Sequence, residues 1–140
     1  MERVDVVYAL IYDDTNGKIL MVGNKREDGS EWSLPGGARE SGETLEQAVI
    51  RETFEETGLI VKVENIFAIN EKFFPQAHAV IFTFVARIIG GEISIQDQNE
   101  ITDISWINIK EAEKIMFYFP NGVQNLLKKG LVAPYYFQTK

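Results

Sequence analysis

The chain contains no cysteine and one histidine, His78. Disulfides and thiolate metal sites are therefore excluded, and nothing points to an oxidising compartment. His78 lacks partners for a zinc site or a catalytic triad and reads as an ordinary strand-edge residue. No apolar run approaches the ~20 residues of a membrane span. The opening Met-Glu-Arg-Val-Asp lacks the basic-then-apolar layout of a secretory leader. The expected compartment is the cytoplasm, with no membrane partner. Positive charge is also scarce. Lys and Arg number 14 against 21 Asp and Glu, a net charge of −7. A surface that holds nucleic acid by its phosphates needs the opposite balance, so stable nucleic-acid binding is not expected. Anionic substrates stay open, because bound cations reverse the local sign in a carboxylate-lined site.

The chain has 140 residues, 45% hydrophobic and 25% charged, which suits one globular domain spanning 1–140. Val4 to Tyr12, the Asn16-Gly17 turn (type I′-like) and Ile19 to Val22 read as strand, turn and strand. Asn24 to Glu31 reads as a polar loop carrying Lys25 and Arg26, and Trp32 to Gly37 as a short strand ending in a glycine turn. Leu59 to Val63 and Ile66 to Ile69 read as two strands, followed by the polar and aromatic stretch Asn70 to His78. Ala79 to Ile89 is a strand, Gly90-Gly91 a hairpin turn, and Glu92 to Ile95 a returning strand. Gln96 to Asn99 is a loop, the run to Ile109 a strand, and a short helix begins near Lys110. Pro120 suits the first turn of a last helix, Asn121 to Lys129, which ends at Gly130. The aromatic tail Leu131 to Phe137 is expected to dock on the body or on a second subunit, so a homodimer is open. Mixed strands with few helices indicate an α/β sandwich with a mixed sheet.

Between these flanks lies Gly36 to Leu59, GGARESGETLEQAVIRETFEETGL. Thr44 to Thr57 lacks Gly and Pro and reads as a helix stopped by Gly58. Glu52, Glu55 and Glu56 then share one face at i, i+3 and i+4. Ile50 and Phe54 form an apolar pair roughly opposite, expected to face the core. Like charges at that spacing repel, unless a hard divalent cation turns repulsion into coordination. A solvated acidic face is the plainer account of three glutamates alone, but the wider spacing goes further. From Gly37, five residues lead to Glu43, seven more to Arg51-Glu52, and then come Glu55-Glu56, Gly58 and Leu59. This pattern resembles the Nudix hydrolase signature, G-x5-E-x7-R-E-U-x-E-E-x-G-U, where U is apolar. Thr53 is the one departure. Its methyl group can still pack and its hydroxyl can bond the carbonyl one turn back. Trp-Ser-Leu-Pro-Gly-Gly before the signature, and Glu100 to Trp106 after it, also look like family features.

The resemblance implies a Nudix-type α/β/α sandwich with the signature as a loop–helix–loop. It also implies metal-dependent hydrolysis of a pyrophosphate bond in a nucleoside diphosphate linked to another group, such as a nucleoside triphosphate or ADP-ribose. Mg²⁺, or Mn²⁺, would be held by Glu55 and Glu56, with the Gly37 carbonyl and Glu52 completing a set and Glu100 a further candidate. Arg51 and Glu43 are expected to pair and fix the loop on the helix. The general base is Glu52 or Glu100. Lys25, Arg26 and Arg39 are candidate phosphate binders or plain solvated cations. Phe73 and Phe74 are candidates for stacking on a base or for core packing. Trp32 and Trp106 are expected to pack. Pro75 resembles a mark of the ADP-ribose-hydrolysing branch. The competing reading is a Nudix-fold nucleotide-sensing module without catalysis, and retention of every signature glutamate separates the two. An acidic structural domain that binds a basic protein explains none of the spacing.

Overall fold

A computed structural model describes residues 1–130 and 132–139. Two sheets share the core. In the larger, the order is β5 (Gly36–Ala38), β1 (Glu2–Leu10), β7 (Ala77–Gly91), β6 (Leu59–Phe74) and β9 (Ala133–Pro134). β1 and β7 run parallel and the other neighbours antiparallel, so the sheet is mixed. The smaller sheet pairs β2 (Tyr12–Asp13), β3 (Lys18–Arg26) and β4 (Gly29–Ser33), with β8 (Ile101–Asn108) on the other side of β3. The described residues also form three helices: α1 (Leu45–Thr57), α2 (Ile109–Ile115) and α3 (Val123–Lys129). None of the described helices is long and apolar enough to cross a membrane.

Alternation along β1 sends side chains to two cores. Val7 and Ala9 join Ala48 and Val49 of α1, Val61 and Val63 of β6, and Phe84 and Ala86 of β7. Leu10 faces the other way, with Phe67, Ile109, Ala112 and Val123, under α2 and α3. Helices thus flank the sheets on both sides, as expected for an α/β sandwich. Tyr8, between Val7 and Ala9, points to the α2–α3 side.

Several local expectations are corrected. The Asn16-Gly17 turn is not type I′, because only Gly17 has positive φ there. The Asp13 carboxylate instead accepts the Thr15 and Asn16 amides and closes the loop 14–17. Residues 24–31 are mostly strand. β3 continues to Arg26 and pairs tightly with β4, where Arg26 meets Glu31 at 3.0 Å. The two strands expected in 59–69 are one long β6 that also takes in Asn70 to Phe74. Register shifts at Ile60/Val61, Val63/Asn65 and Ile66/Ala68 absorb its irregular pattern.

Gly90-Gly91 is not a hairpin. Both residues pair with Leu59 and Ile60, and a Cβ on Gly91 would lie 2.3 Å from the Gly58 carbonyl oxygen. These glycines allow a close crossing rather than a reversal. Residues 92–95 leave the sheet for the end of α1, where Ser94 N–H donates to the Thr57 carbonyl at 2.8 Å. The last helix starts later than expected, after Gly122 rather than within the first turn beyond Pro120. The tail docks on the body: β9 pairs with β6, and the Tyr135 ring meets Phe84 edge-on at 5.2 Å. Leu131, where that expectation began, lies outside the described residues.

Candidate active site

The site is assembled around α1. Thr44 caps its first turn by accepting Gln47 N–H at 3.0 Å, while the Gln47 side chain accepts Thr44 N–H at 2.9 Å. This reciprocal box satisfies two amides that the helix start leaves open. Gly58, at φ 76°, ends the helix in the left-handed region. The core face is Ala48, Val49, Thr53 and Thr57. Phe54 is not part of it: its ring is 44% exposed, while Ile50 packs beside the core. The helix is therefore turned so that residue 53, and not 54, lies innermost. Thr53 Oγ1 makes no hydrogen bond; it is Thr57 Oγ1 that donates to the carbonyl one turn back, at 2.6 Å.

That rotation carries Glu56 inward. Its carboxylate, with the residue only 8% exposed, accepts Gly36 N–H at 3.1 Å. Burial dominates its proton affinity and pushes its pKa up to about 8; the Gly36 bond opposes this, and Glu52, Asp97 and Glu55 add to it. Glu52 stands against Gly37, where a Cβ would lie 2.7 Å from its carboxylate oxygen. Burial raises the Glu52 pKa too, against the pull of Arg51. Glu55 is more open, and its backbone carbonyl accepts Asp97 N–H at 2.9 Å.

Arg51 holds the acidic face together. Its Nε and Nη2 donate to the two Glu43 oxygens at 2.6 and 2.9 Å, a bidentate pair. Nη1 reaches Glu52 at 3.1 Å and Glu55 at 3.3 Å, and Nη2 also bonds the Ala38 carbonyl at 3.2 Å. The Glu43 carboxyl is held below its ordinary range, chiefly by the Arg51 hydrogen bond, and Arg51 is correspondingly raised. Among the described residues, no three acidic or imidazole side chains stand ready-made as a metal cage. The guanidinium draws Glu52 and Glu55 to one place. The donors there are all hard oxygens, the chemistry that Mg²⁺ and Mn²⁺ prefer.

Beside this acidic centre opens a cleft of about 590 Å³, lined by the aromatic rings of Tyr8, Trp32, Phe74, Phe117 and Tyr118. Tyr8 joins the two regions. It pairs with Gly36 in the β1–β5 register, and burial, then the charge of Glu56, raises its hydroxyl pKa.

Comparison with known proteins follows the same lines. The NUDIX domain family model matches residues 2–124. The chain belongs to the Nudix family. It is 33% identical over 107 residues to the ADP-ribose pyrophosphatase of Methanocaldococcus jannaschii, covering 74% of this chain and 62% of that protein. It is 32% identical over 98 residues to the NAD-capped RNA hydrolase NudC of Pectobacterium carotovorum, covering 70% and 36%. The chain thus spans less than two thirds of the length of either relative. A NUDIX hydrolase structure from Nitrosomonas europaea superposes with a TM-score of 0.79 at 25% identity, covering 99% of this chain and 100% of that one.

Within this Nudix fold, Gly37, Glu43, Arg51, Glu52, Glu55 and Glu56 come together. The other candidates scatter. Glu100 is exposed; its carbonyl accepts Lys25 N–H at 2.7 Å, which places both on the β3 side of the loop. The carboxylate from that loop whose charge reaches Glu56 is Asp97. Arg39 pairs with Asp5 at 3.6 Å and donates to the Glu43 carbonyl at 3.0 Å, so it braces the signature loop. Arg26 lines the cleft and Lys25 does not. Phe74 lines it, whereas Phe73 turns outward onto His78, ring centres 4.6 Å apart. Trp106 packs on the core as expected, but Trp32 also lines the cleft. Sequence reasoning missed Tyr8, Lys72, Asp97, Phe117 and Tyr118. Strand alternation alone marks Tyr8 as an inward polar ring; nothing local marks the others.

Proposed function

We propose that this Nudix domain hydrolyses a pyrophosphate bond in a nucleoside diphosphate linked to another group, by attack of water at phosphorus, in the cytoplasm. The observation that carries this reading is that Glu56 accepts the Gly36 amide and Glu52 stands against Gly37, while Arg51 draws Glu55 to Glu52. The similarity to an ADP-ribose pyrophosphatase and to a hydrolase of NAD-capped RNA supports it, since both names describe a nucleoside diphosphate joined to a further moiety. Glu52, Glu55, Glu56 and the Gly37 carbonyl would hold Mg²⁺ or Mn²⁺, with Glu100 the further candidate from the loop before β8. Bound there, the cation would offset the charge on the phosphates and on the departing oxygen.

The chain's own residues do the rest. Arg51, locked by Glu43, holds Glu52 and Glu55 in position. Glu52 or Glu100 takes the proton from the attacking water, a step worth roughly 10²–10⁴-fold in rate. Arg26, at the cleft, is placed to meet a phosphate, while Lys25 and Arg39 have weaker claims because of their positions.

The test is a panel of ADP-ribose, NAD and nucleoside triphosphates, assayed with Mg²⁺, with Mn²⁺ and with EDTA. Hydrolysis is expected with either metal and should vanish with EDTA. Turnover that persists without metal, or tight binding of every compound without turnover, would overturn the proposal, the latter in favour of a sensing module.

A further inference from the structure

The outer edge of β6 is protected along one half of its length and bare along the other. Between Leu59 and Ala68 the strand shifts register three times, and β9 pairs with Asn65 and Ile66. Bulges and a short covering strand are ordinary protections of a sheet edge. From Ala68 to Phe74 the pairing with β7 runs without a shift. Among the described residues, no strand covers the outer side of that stretch. It holds no proline, and Ile69 is 57% and Phe73 70% exposed. A long, straight, apolar edge offers its amides and carbonyls to another strand. Lys72 is of the type that normally guards an edge, but its ammonium folds back to 4.8 Å from the Phe74 ring centre. Side chains alternate along the stretch. Asn70, Lys72 and Phe74 line the cleft. Ile69, Glu71 and Phe73 take the other face, opposite Phe82, Val80 and His78 of β7.

A two-fold axis perpendicular to the sheet sets this edge antiparallel to the same edge of a second copy. Each face then stays on its own side, so every residue meets one that shares its face. With the axis on Glu71, Ile69 lies opposite the partner's Phe73 and Asn70 opposite the partner's Lys72, each twice. The Asn70 amide nitrogen already donates to the Tyr118 carbonyl at 3.3 Å, which leaves the side-chain oxygen to accept that ammonium. An axis one residue to either side loses the match: on Asn70 it sets Glu71 against Ile69, and on Lys72 against Phe73. We infer that the bare half of β6 joins a second copy of the chain edge to edge, in the register centred on Glu71, as one continuous sheet. At the axis the two Glu71 carboxylates face each other. Each is held by its own His78 at 2.7 Å and is 65% exposed, so water and salt screen the repulsion. The paired edges are short, so monomer and dimer exchange. Because Asn70 lines the cleft, the partner's Lys72 stands at the mouth of the first protomer's cleft. None of this rests on the hydrolytic reading above.

The experiment is sedimentation velocity of the full chain over a concentration series. The mass should rise with concentration from the 15.9 kDa of one chain toward twice that value. Ile69→Lys and Phe73→Lys should each weaken the association about ten-fold or more, since every substitution falls twice across the axis. Both should keep the melting temperature. Glu71→Gln, which removes the like charges at the axis, should strengthen the association. The register is read by cross-linking, because the chain has no cysteine of its own. Under mild oxidation Glu71→Cys should form a disulfide dimer: directly opposed residues stand about 4.5–5.5 Å apart at Cα, within disulfide reach. Lys72→Cys should form one far more slowly, since that residue meets its own copy only on a diagonal, about 7–8 Å away. A single chain at every concentration, unchanged association in either lysine variant, or equal cross-linking from the two cysteine positions would each overturn the inference. Hydrolysis by a chain that stays monomeric would overturn only the dimer, and a dimer without hydrolysis only the catalytic proposal.

Discussion

Glu56 and Gly36 are joined by one hydrogen bond, from the Gly36 amide to the Glu56 carboxylate at 3.1 Å, and it ties the last turn of the signature helix to the edge of the larger sheet. The carboxylate is otherwise buried among like charges, and its folded pKa of about 8 lies above the ordinary 4.5. The folded protein therefore keeps this proton where the unfolded chain has lost it. The associated stability is fully present below 4.5 and is lost as pH rises toward about 8. Without metal, the melting temperature of the natural chain should fall across that window, on the order of a few kcal/mol in stability. Glu56→Gln should flatten the fall, melt higher at pH 8 and lose most of kcat. Parallel melting curves for the two proteins in EDTA would refute the account.

Arg51→Lys tests the clamp. An ammonium cannot reproduce the two-pronged bond to Glu43 while also reaching Glu52 and Glu55. A loss of roughly 1–3 kcal/mol in urea unfolding is expected, together with a larger stabilisation by added Mg²⁺, because the freed carboxylates then rely on the cation. Unchanged unfolding would show that the clamp is not structural.

The two glycines of the turn should separate stability from activity. A Cβ at Gly36 would lie 2.0 Å from the Val7 carbonyl oxygen, which is backbone and cannot move without opening β1 from β5. At Gly37 its nearest neighbours would be the carboxylate atoms of Glu52, a side chain that can swing away. Gly36→Ala should unfold the protein or melt it far lower. Gly37→Ala should stay folded and lose about 10²-fold in kcat, the scale of a carboxylate displaced by about 1 Å. Circular dichroism and steady-state rates on both variants decide the point; a fully active Gly37→Ala would remove Glu52 from the mechanism.

Thr53→Val should stabilise the protein. The Thr53 hydroxyl is buried without a hydrogen-bond partner, while its methyl group packs. Replacing the hydroxyl by a methyl group removes a desolvation cost of about 1 kcal/mol, a rise of roughly 2–4 °C in melting temperature. Activity should not change. A lower melting temperature would mean that a buried water satisfies the hydroxyl.

The family and the acidic helix face were legible from the chain itself, because spacing along a helix fixes which side chains share a face. Glu43, Arg51, Glu52, Glu55 and Glu56 sit within one loop and helix, so local geometry brings them together. The rotation of that helix was not legible. Placing Thr53 inward and Phe54 outward depends on how α1 meets β1, β5 and β6, and periodicity alone admits both settings. Nor could the pairing of Gly90 and Gly91 with Leu59 and Ile60 be read locally: a Gly-Gly step signals either a turn or a close crossing, and only the backbone at Gly58 distinguishes them. The cleft is the clearest case. Tyr8, Trp32, Phe74 and Phe117 come from far-separated parts of the chain, and no local spacing relates them. They share one cavity because two sheets and the α2–α3 connection pack as they do, so the chemistry of the acidic centre was written in sequence order while the shape of the cleft beside it was decided by tertiary packing.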